Sequence, residues 1–317
     1  MKTPGARAIS TSGSRFETMS VFEGPRIERR RVMVEGSACW GTMRDDAMLA
    51  LDDGRVVDPA RMIHLPPCEP TKIIGAHITY VSRSMETRNK PKPTDNPTYF
   101  TKPPTATNGH NGKIVKYDGM RYLNYEGEVA AIIGKVTRNV TPEEAWDCIA
   151  GFAPLLDMGA QDFRDTDQGS MLRVKGMDGY CPIGPGIVRG VDPRKETLRT
   201  YRNGLLVQEA NIGEELIWEA DFIIADIARY ITLMPGDIIM TGTPAHSRSL
   251  DPGDRIEVEI TNLGRLGCDV VSAPEPRAAG IGHPPLDTPE VRRVALGFDE
   301  RVRPDLLANY QAASRGR

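Results

Sequence analysis

Two glutamates stand on either side of a single glycine in an otherwise apolar segment of this 317-residue chain. Glu126 and Glu128 belong to residues 125–134, whose other side chains are typical of a buried β-strand. Residues two apart on a strand project from the same face, so the two carboxylates repel each other unless a positive charge lies between them. A hard divalent metal ion is the simplest such charge, because it prefers oxygen ligands. The pair therefore favours a metal-dependent enzyme.

A third acid lies within a second apolar stretch, residues 151–164. Asp157 is flanked by Leu155, Leu156 and Met158. Burial of an acid in such a stretch is costly unless the acid pairs with a base or binds a metal. The residues alone leave an ion pair, a surface position and a metal ligand open.

The elements that must position these acids are mostly strands. From Lys72 to about residue 275, strand-like runs alternate with glycine and proline turns, and only two helices are predicted. The first begins at Thr141-Pro142, where an N-cap, a first-turn proline and an acid at the third position coincide, and it should end near Gly151. The second spans about residues 214–231. Its apolar stripe is expected to face the core and consists of Ile217, Ile224, Ala228 and Ile231.

Composition divides the chain into four segments, and the predicted fold class is α+β, mainly β. Residues 1–18 are rich in Ser, Thr and Gly and are expected to be disordered. Residues 19–69 are predicted to form a small N-terminal β-rich domain, and residues 70–275 a catalytic domain. Residues 276–317, rich in Pro and Arg, are predicted to be a C-terminal surface tail or subunit contact. A short helix is predicted there after Thr288-Pro289.

Charge and cysteine content exclude several classes of protein. The chain has 40 basic and 43 acidic residues and a net charge of -3, so it lacks a strong field for nucleic acid or an anionic membrane. Its five cysteines are scattered and show no C-x-x-C spacing, which argues against a disulfide framework or a zinc–thiolate site. No run approaches the roughly 20 apolar residues that span a bilayer. We expect a cytoplasmic protein with neither nucleic-acid nor membrane partners.

Several segments, taken in order, resemble the fumarylacetoacetate hydrolase family over about residues 72–272. These segments are Tyr99-Phe100-Thr101-Lys102-Pro103-Pro104, Tyr125-Glu126-Gly127-Glu128, residues 151–162 with Asp157, Lys175-Gly176-Met177-Asp178-Gly179, Asn203-Gly204 and Thr241-Gly242-Thr243-Pro244. The resemblance implies that Mg²⁺ or Mn²⁺ is bound by Glu126, Glu128 and Asp157. It also implies a catalytic Lys175, with Lys102 and Thr243 as substrate contacts.

The family resemblance also carries expectations about fold and chemistry. The fold would be a mixed β-roll around the metal, with a smaller N-terminal domain, and the protein would be a homodimer. A 2-oxo acid substrate would chelate the metal through its carboxylate and keto oxygens. The metal would then stabilise the enolate that forms when a nearby C–C bond breaks or a proton leaves. Hydrolases, decarboxylases and isomerases of the family share that intermediate.

One departure from the family pattern bears on the reaction. Many members carry Asn-Tyr-x-x-His-x-x-Glu, in which the His–Glu pair activates water or moves protons, but here Tyr80 is followed by Arg83 and Glu86. A guanidinium cannot act as a general base near pH 7, so the usual water activator of the hydrolases is missing. Arg83 is better suited to bind a second substrate carboxylate. Tyr80 is a further candidate substrate contact, and Glu86 or His77 is the candidate base.

A second departure concerns two further candidate substrate contacts, Gln161 and Arg164. The family more often has Arg at the first of these positions and Gln at the second. With Arg83, the sequence looks more like the branch that decarboxylates and isomerises unsaturated 2-oxo dicarboxylic acids in aromatic catabolism. That function is favoured. The alternatives are a C–C bond hydrolase of a 2,4-dioxo acid or acylpyruvate, and a non-catalytic metal-binding relative.

Overall fold

The computed structural model describes residues 20–274, 280–297 and 303–315. The prediction of disorder over residues 1–18 lies outside this part. The strands are β1 (Ile27–Val34), β2 (Ser37–Met43), β3 (Leu49–Leu51), β4 (Val56–Val57), β5 (Ile63–His64), β6 (Ile73–Ala76), β7 (Tyr99–Lys102), β8 (Thr107–Asn108), β9 (Lys113–Tyr117), β10 (Leu123–Asn124), β11 (Gly127–Ile133), β12 (Ile149–Leu156), β13 (Gly159–Ala160), β14 (Cys181–Pro182), β15 (Gly186–Arg189), β16 (Thr197–Arg202), β17 (Leu205–Asn211), β18 (Ile238–Met240), β19 (Ser249–Leu250), β20 (Arg255–Ile260) and β21 (Gly264–Ala273). The α-helices are α1 (Val81–Arg88), α2 (Pro142–Trp146), α3 (Arg164–Asp167), α4 (Leu172–Lys175), α5 (Ile212–Glu215), α6 (Ala220–Ala228), α7 (Pro289–Leu296) and α8 (Pro304–Arg315).

Two mixed sheets form most of the described structure. The larger has the strand order β4-β3-β2-β1-β15-β12-β11-β18-β6-β7, with β5 paired to β1, and the second has the order β17-β16-β20-β21-β9. Most neighbours are antiparallel, but β18 runs parallel to β6 and β21 parallel to β9. Strands β11 and β12 of the first sheet pack against β16, β20 and β21 of the second. The predicted mainly β, α+β fold is confirmed.

The glycine between the two glutamates faces the second sheet. A Cβ added to Gly127 would lie 2.2 Å from Oγ1 of Thr200 and 3.1 Å from a methyl group of Val258. The close packing of the sheets therefore requires glycine at this position. Because neighbouring side chains on a strand point to opposite faces, the same geometry directs Glu126 and Glu128 away from the packed interface.

The N-terminal strands extend the large sheet at one end. β1 pairs with β2 on one side and with β15 on the other. Val32, Val34, Leu49 and Leu51 form a small buried cluster of their own. The predicted boundaries of this domain and of the catalytic domain stay predictions.

The first predicted helix begins as expected and ends early. Thr141 caps α2, accepting a hydrogen bond from the Glu144 amide (3.3 Å), and the Glu144 carboxylate accepts one from the Thr141 amide (2.9 Å). The helix ends at Trp146, because β12 begins at Ile149 and pairs with β11. The prediction that it reaches Gly151 is wrong.

The second predicted helix is two shorter ones. Between α5 and α6, the Ile217 amide donates to the Thr79 carbonyl at 2.7 Å, which interrupts the helix. Ile224 and Ala228 are buried as expected, but Ile231 lies beyond α6 and is 47% exposed. The sequence also failed to predict α1 within residues 72–275.

Residues 289–296 and 304–315 of the C-terminal segment form helices that pack on the rest of the described structure. α7 begins where Thr288-Pro289 predicted it, and the Thr288 hydroxyl accepts a hydrogen bond from the Val291 amide at 3.1 Å. α8 packs on β17 and buries Leu306. Among the described helices, none has the length and apolar character that a membrane span requires.

Candidate active site

Strand pairing brings the three predicted metal ligands together. In the β11–β12 ladder, Glu128 lies opposite Leu155 and Gly127 opposite Leu156. The ladder continues one residue further, where the Asp157 amide donates to the Glu126 carbonyl at 2.8 Å. One carboxylate oxygen from each of Glu126, Glu128 and Asp157 lies within 4.8 Å of the others. The two acidic segments are therefore one cluster, as predicted.

The loop after β18 closes the other side of this cluster. The Gly242 amide donates to Oε2 of Glu128 at 2.8 Å. Gly242 has φ +92°, and a Cβ there would lie 1.9 Å from Oγ1 of Thr79. The Thr79 hydroxyl itself donates to the Thr241 carbonyl. Glycine is therefore required both by the backbone conformation and by the contact that holds the loop against Glu128.

Lys175, at the end of α4, lies between two of the carboxylates. Its Nζ is 2.5 Å from Oε2 of Glu126 and 2.6 Å from Oδ2 of Asp157. Burial disfavours the ammonium form, but the charges of Asp157 and Glu126 outweigh burial and raise the Lys175 pKa. The side chain therefore carries a positive charge near pH 7. In this state it supplies charge and hydrogen bonds, and it cannot accept a proton.

Lys102 lies behind the cluster and not on the cavity wall described below. Its buried Nζ donates to the carbonyls of Met158 (3.0 Å), Lys175 (2.8 Å) and Tyr180 (2.8 Å). It is also 2.6 Å from Oδ1 of Asp157. The predicted substrate contact is thus a buried cation that contacts Asp157 and the backbone of three residues that follow it in the chain.

The residues that replace the His–Glu pair form a buried ion cluster. Nη1 of Arg83 is 2.6 Å from Oε2 of Glu86, and Nη2 of Arg248 is 2.7 Å from Oε1. The His246 amide also donates to Glu86, at 3.2 Å. Burial raises the Glu86 pKa, but the two guanidinium groups outweigh it and the net shift is downward. Glu86 is thus an ionised, fully engaged acceptor, which leaves it little capacity to act as a base.

A cavity of about 570 Å³ opens beside the three carboxylates. The predicted site residues on its wall are His77, Arg83, Glu126, Glu128, Asp157, Gln161, Arg164, Lys175 and Thr243. Tyr80 is not among the lining residues; it is fully buried at the start of α1. The structure therefore brings most of the predicted residues to one cavity and places Tyr80, Glu86 and Lys102 behind its wall.

His77 is the neutral base candidate on the cavity wall. Its ring packs against Phe100, with the ring centres 4.8 Å apart, and Nδ1 lies 3.4 Å from the Thr98 hydroxyl. Burial, followed by the charges of Lys175 and Arg164, lowers the His77 pKa to about 4. The imidazole is therefore neutral near pH 7, and the low pKa makes it a weak base.

The carboxylate cluster fits a divalent metal ion. Burial and the charges of Asp157 and Glu126 raise the Glu128 pKa well above its usual value, because carboxylates held this close repel one another and a bound cation would relieve the repulsion. Three carboxylates with oxygens this close match the ligands that Mg²⁺ and Mn²⁺ prefer. Glu126, Glu128 and Asp157 are the residues that would hold the ion.

Sequence reasoning missed two residues that complete the site. Gln208, buried in β17, accepts a hydrogen bond from the Gly127 amide (3.1 Å) and donates to the Thr243 hydroxyl (3.1 Å). Arg248 is the second partner of Glu86. A fully buried glutamine or arginine gives no local pattern in a sequence, because its partners lie far away along the chain. Arg293 and Val294 of α7 also line the cavity, where the sequence predicted a surface tail or subunit contact.

Fold and site together define the class of protein. The chain belongs to the fumarylacetoacetate hydrolase family: the family model described as fumarylacetoacetate (FAA) hydrolase C-terminal matches residues 72–271. The resemblance inferred from the sequence is thereby confirmed.

Particular relatives refine this assignment. An uncharacterized protein of Archaeoglobus fulgidus is 36% identical over 236 residues, which cover 74% of this chain and 93% of that protein. The 4-hydroxyphenylacetate degradation bifunctional isomerase/decarboxylase of Escherichia coli is 38% identical over 223 residues, which cover 69% of this chain and 51% of that protein. This chain thus matches about half of the Escherichia coli relative.

Solved structures similar to this chain include both isomerases and hydrolases. The 5-carboxymethyl-2-hydroxymuconate delta-isomerase of Mycobacterium smegmatis has a TM-score of 0.72 and 28% identity, covering 78% of this chain and 100% of its own. The maleylpyruvate hydrolase of Sphingobium sp. SYK-6, solved with manganese(II) and pyruvate, has a TM-score of 0.65 and 26% identity, with coverages of 78% and 99%. The relatives named by activity are enzymes that act on small molecules.

Proposed function

We propose that this protein is a divalent-metal-dependent enzyme that decarboxylates or isomerises an unsaturated 2-oxo dicarboxylic acid in aromatic-compound catabolism. The observation that carries the proposal is the contact between Arg83 and Glu86, 2.6 Å apart. It occupies the place where hydrolases of the family have the His–Glu pair that activates water. A permanently protonated guanidinium bound to an ionised carboxylate offers no base for that step.

The charge of the site favours a substrate with two negative charges. Four buried carboxylates are matched by four cations, and the eight residues are Glu86, Glu126, Glu128, Asp157, Arg83, Arg248, Lys102 and Lys175. If all eight are ionised, as a bound cation would favour for Glu128, their formal charges sum to zero. The divalent ion then adds two positive charges, which a dicarboxylate dianion neutralises. Complementary charge of this kind favours the dioic acid over a monocarboxylate.

The residues on the cavity wall supply the remaining steps. A bound Mg²⁺ or Mn²⁺ would polarise the keto group and stabilise the negative charge that develops on its oxygen. His77, neutral near pH 7, accepts or returns the proton that moves in an isomerisation. Gln208 donates to the Thr243 hydroxyl oxygen, so the hydroxyl proton of Thr243 is available to a substrate oxygen. Lys175 contributes a positive charge beside the reacting keto group.

A hydrolase that cleaves the C–C bond of a 2,4-dioxo acid or acylpyruvate is the second candidate. The similarity to a maleylpyruvate hydrolase favours it, and His77 would then have to activate the water. This requires a different base from the one that the family pattern provides.

A product assay separates the two functions. The purified protein would be incubated with Mg²⁺ or Mn²⁺ and, in turn, oxaloacetate, an acylpyruvate and an unsaturated 2-oxo dioic acid, with a chelator-treated sample as control. We expect CO₂ or a shifted double bond from the dicarboxylic substrates, and no turnover after chelation. Two smaller acids without CO₂ would establish the hydrolase instead. Full activity in the chelated sample would contradict the metal dependence.

A further inference from the structure

Helix α7 forms part of the cavity although it lies outside the family-matched residues 72–271. Val291 and Ala295 are fully buried on its inner face. Asn124, two residues before Glu126, donates a hydrogen bond from its side-chain amide to the Ala295 carbonyl at 2.9 Å. The Thr288 hydroxyl donates to Asp165 at 2.6 Å. The helix is thus fixed to the elements that carry the site.

Three arginines from three separate elements line the same cavity. Arg88 comes from α1, Arg164 from α3 and Arg293 from α7. Among the described residues, Arg164 has no carboxylate within 4.0 Å, and its Nη1 donates to the Gln161 side chain at 3.3 Å. Glu290 forms an ion pair with Arg293. Within the part of the chain that the structure describes, neither Arg88 nor Arg164 forms an ion pair, so these two guanidinium groups bring positive charge to this part of the wall.

The electrostatic environment of Glu290 supports the proximity of these three arginines. The hydrogen bond from Arg293 and the charges of Arg293, Arg164 and Arg88 lower the Glu290 pKa, although burial opposes the shift. Glu290 is therefore close enough to interact electrostatically with all three guanidinium groups. Beside the arginines, Val294 contributes an apolar surface to the cavity.

We propose that Arg88, Arg164 and Arg293 form a subsite for the second carboxylate of the substrate, the one remote from the metal, and that Val294 contacts the carbon chain. The inference rests on the proposed function, because it assumes that a 2-oxo acid binds at Glu126, Glu128 and Asp157. It adds that a helix outside the family-matched region selects the substrate. Guanidinium groups suit this task, since they bind carboxylates through two parallel hydrogen bonds.

The test compares two inert 2-oxo acids with the same carbon chain. Binding of 2-oxoadipate, which has a second carboxylate, and of 2-oxohexanoate, which lacks it, would be measured by calorimetry on the full chain with Mn²⁺. We expect the wild-type protein to bind 2-oxoadipate about tenfold more tightly or better. Arg293→Gln should remove most of this preference and leave the affinity for 2-oxohexanoate unchanged.

Arg292→Gln is the matched control. It removes the same charge from the same helix, but Arg292 is exposed, pairs with Asp287 and is not among the cavity-lining residues. It should keep the wild-type preference, and circular dichroism would verify that both variants fold. Equal preference in Arg293→Gln and wild type would overturn the subsite alone. If neither acid binds to the wild-type protein with Mn²⁺, the proposed function fails, and the subsite with it.

Discussion

Replacement of Lys102 by methionine should destabilise the protein strongly, although Lys102 does not line the cavity. The ammonium group contacts Asp157 at 2.6 Å and three backbone carbonyls at 2.8–3.0 Å, all of them buried. Methionine fills similar space without the charge or the donors. The variant therefore leaves one buried carboxylate without this cation and three carbonyls without this donor.

The expected loss of unfolding free energy follows from the difference between buried and exposed ion pairs. Removal of one partner from a buried pair costs about 3–5 kcal/mol. Lys113 provides the control, because its Nζ is also 2.6 Å from an aspartate, Asp269, but the two side chains are 58% and 38% exposed. Exposed pairs contribute about 0–1 kcal/mol. Lys102→Met should therefore cost at least about 2 kcal/mol more than Lys113→Met.

Urea unfolding in the presence of a chelator measures both variants without any contribution from metal binding. With a slope of about 2–3 kcal/mol per molar urea, the Lys102→Met midpoint should fall by about 1–2.5 M. The Lys113→Met midpoint should fall by less than about 0.5 M. Equal midpoints for the two variants would refute the argument that burial makes Lys102 a structural cation.

Three further outcomes are expected. Glu128→Gln should weaken Mn²⁺ binding at least about a hundredfold and abolish activity with it, and unchanged metal content on elemental analysis would mean that the metal ligands are misassigned. Gly242→Ala should lower the free energy of unfolding by about 2 kcal/mol or more, because its Cβ would lie 1.9 Å from Oγ1 of Thr79. Gly253 also has a positive φ, +94°, but nothing lies within 4 Å of an added Cβ, so Gly253→Ala should lower it by only about 1 kcal/mol. Thermal unfolding of the two variants makes the comparison. Burial and the charges of the nearby His64 and Arg255 lower the His110 pKa to about 4. The unfolded chain therefore binds more protons between pH 6.5 and 4, and the free energy of unfolding falls as the pH falls through that range. His110→Asn should reduce this pH dependence by about 2 kcal/mol, and an unchanged pH profile in urea unfolding would contradict this assignment.

The sequence predicted the acidic cluster because its evidence is local. Two carboxylates on one face of an apolar strand, and a third in an apolar stretch, are costly arrangements that need a common explanation. The cap at Thr141 was likewise visible, since all of its partners lie within one helical turn. Strand pairing then brought Asp157 to Glu126, as the predicted site required.

What the sequence did not reveal depends on distant contacts. Lys102 and Lys175 both lie in family-like segments, yet only the structure separates the lysine at the cavity from the one behind it. Arg83 lines the cavity, as its prediction as a substrate contact requires, but the sequence did not show that it pairs with Glu86, which Arg248 also contacts. The early end of the helix after Thr141 likewise follows from pairing of the next segment with β11. The homodimer stays a prediction, which light scattering would test.

The hydrogen bond between the Asp157 amide and the Glu126 carbonyl links the metal site to folding. A slip of one residue between β11 and β12 would bring different residues of the two strands opposite each other and separate the acids. An ion that requires all three carboxylates would bind only chains in which these strands are correctly aligned. By mass action, it would therefore stabilise the native alignment over shifted ones during folding. Metal uptake during refolding would then report when the central strands have found their correct partners.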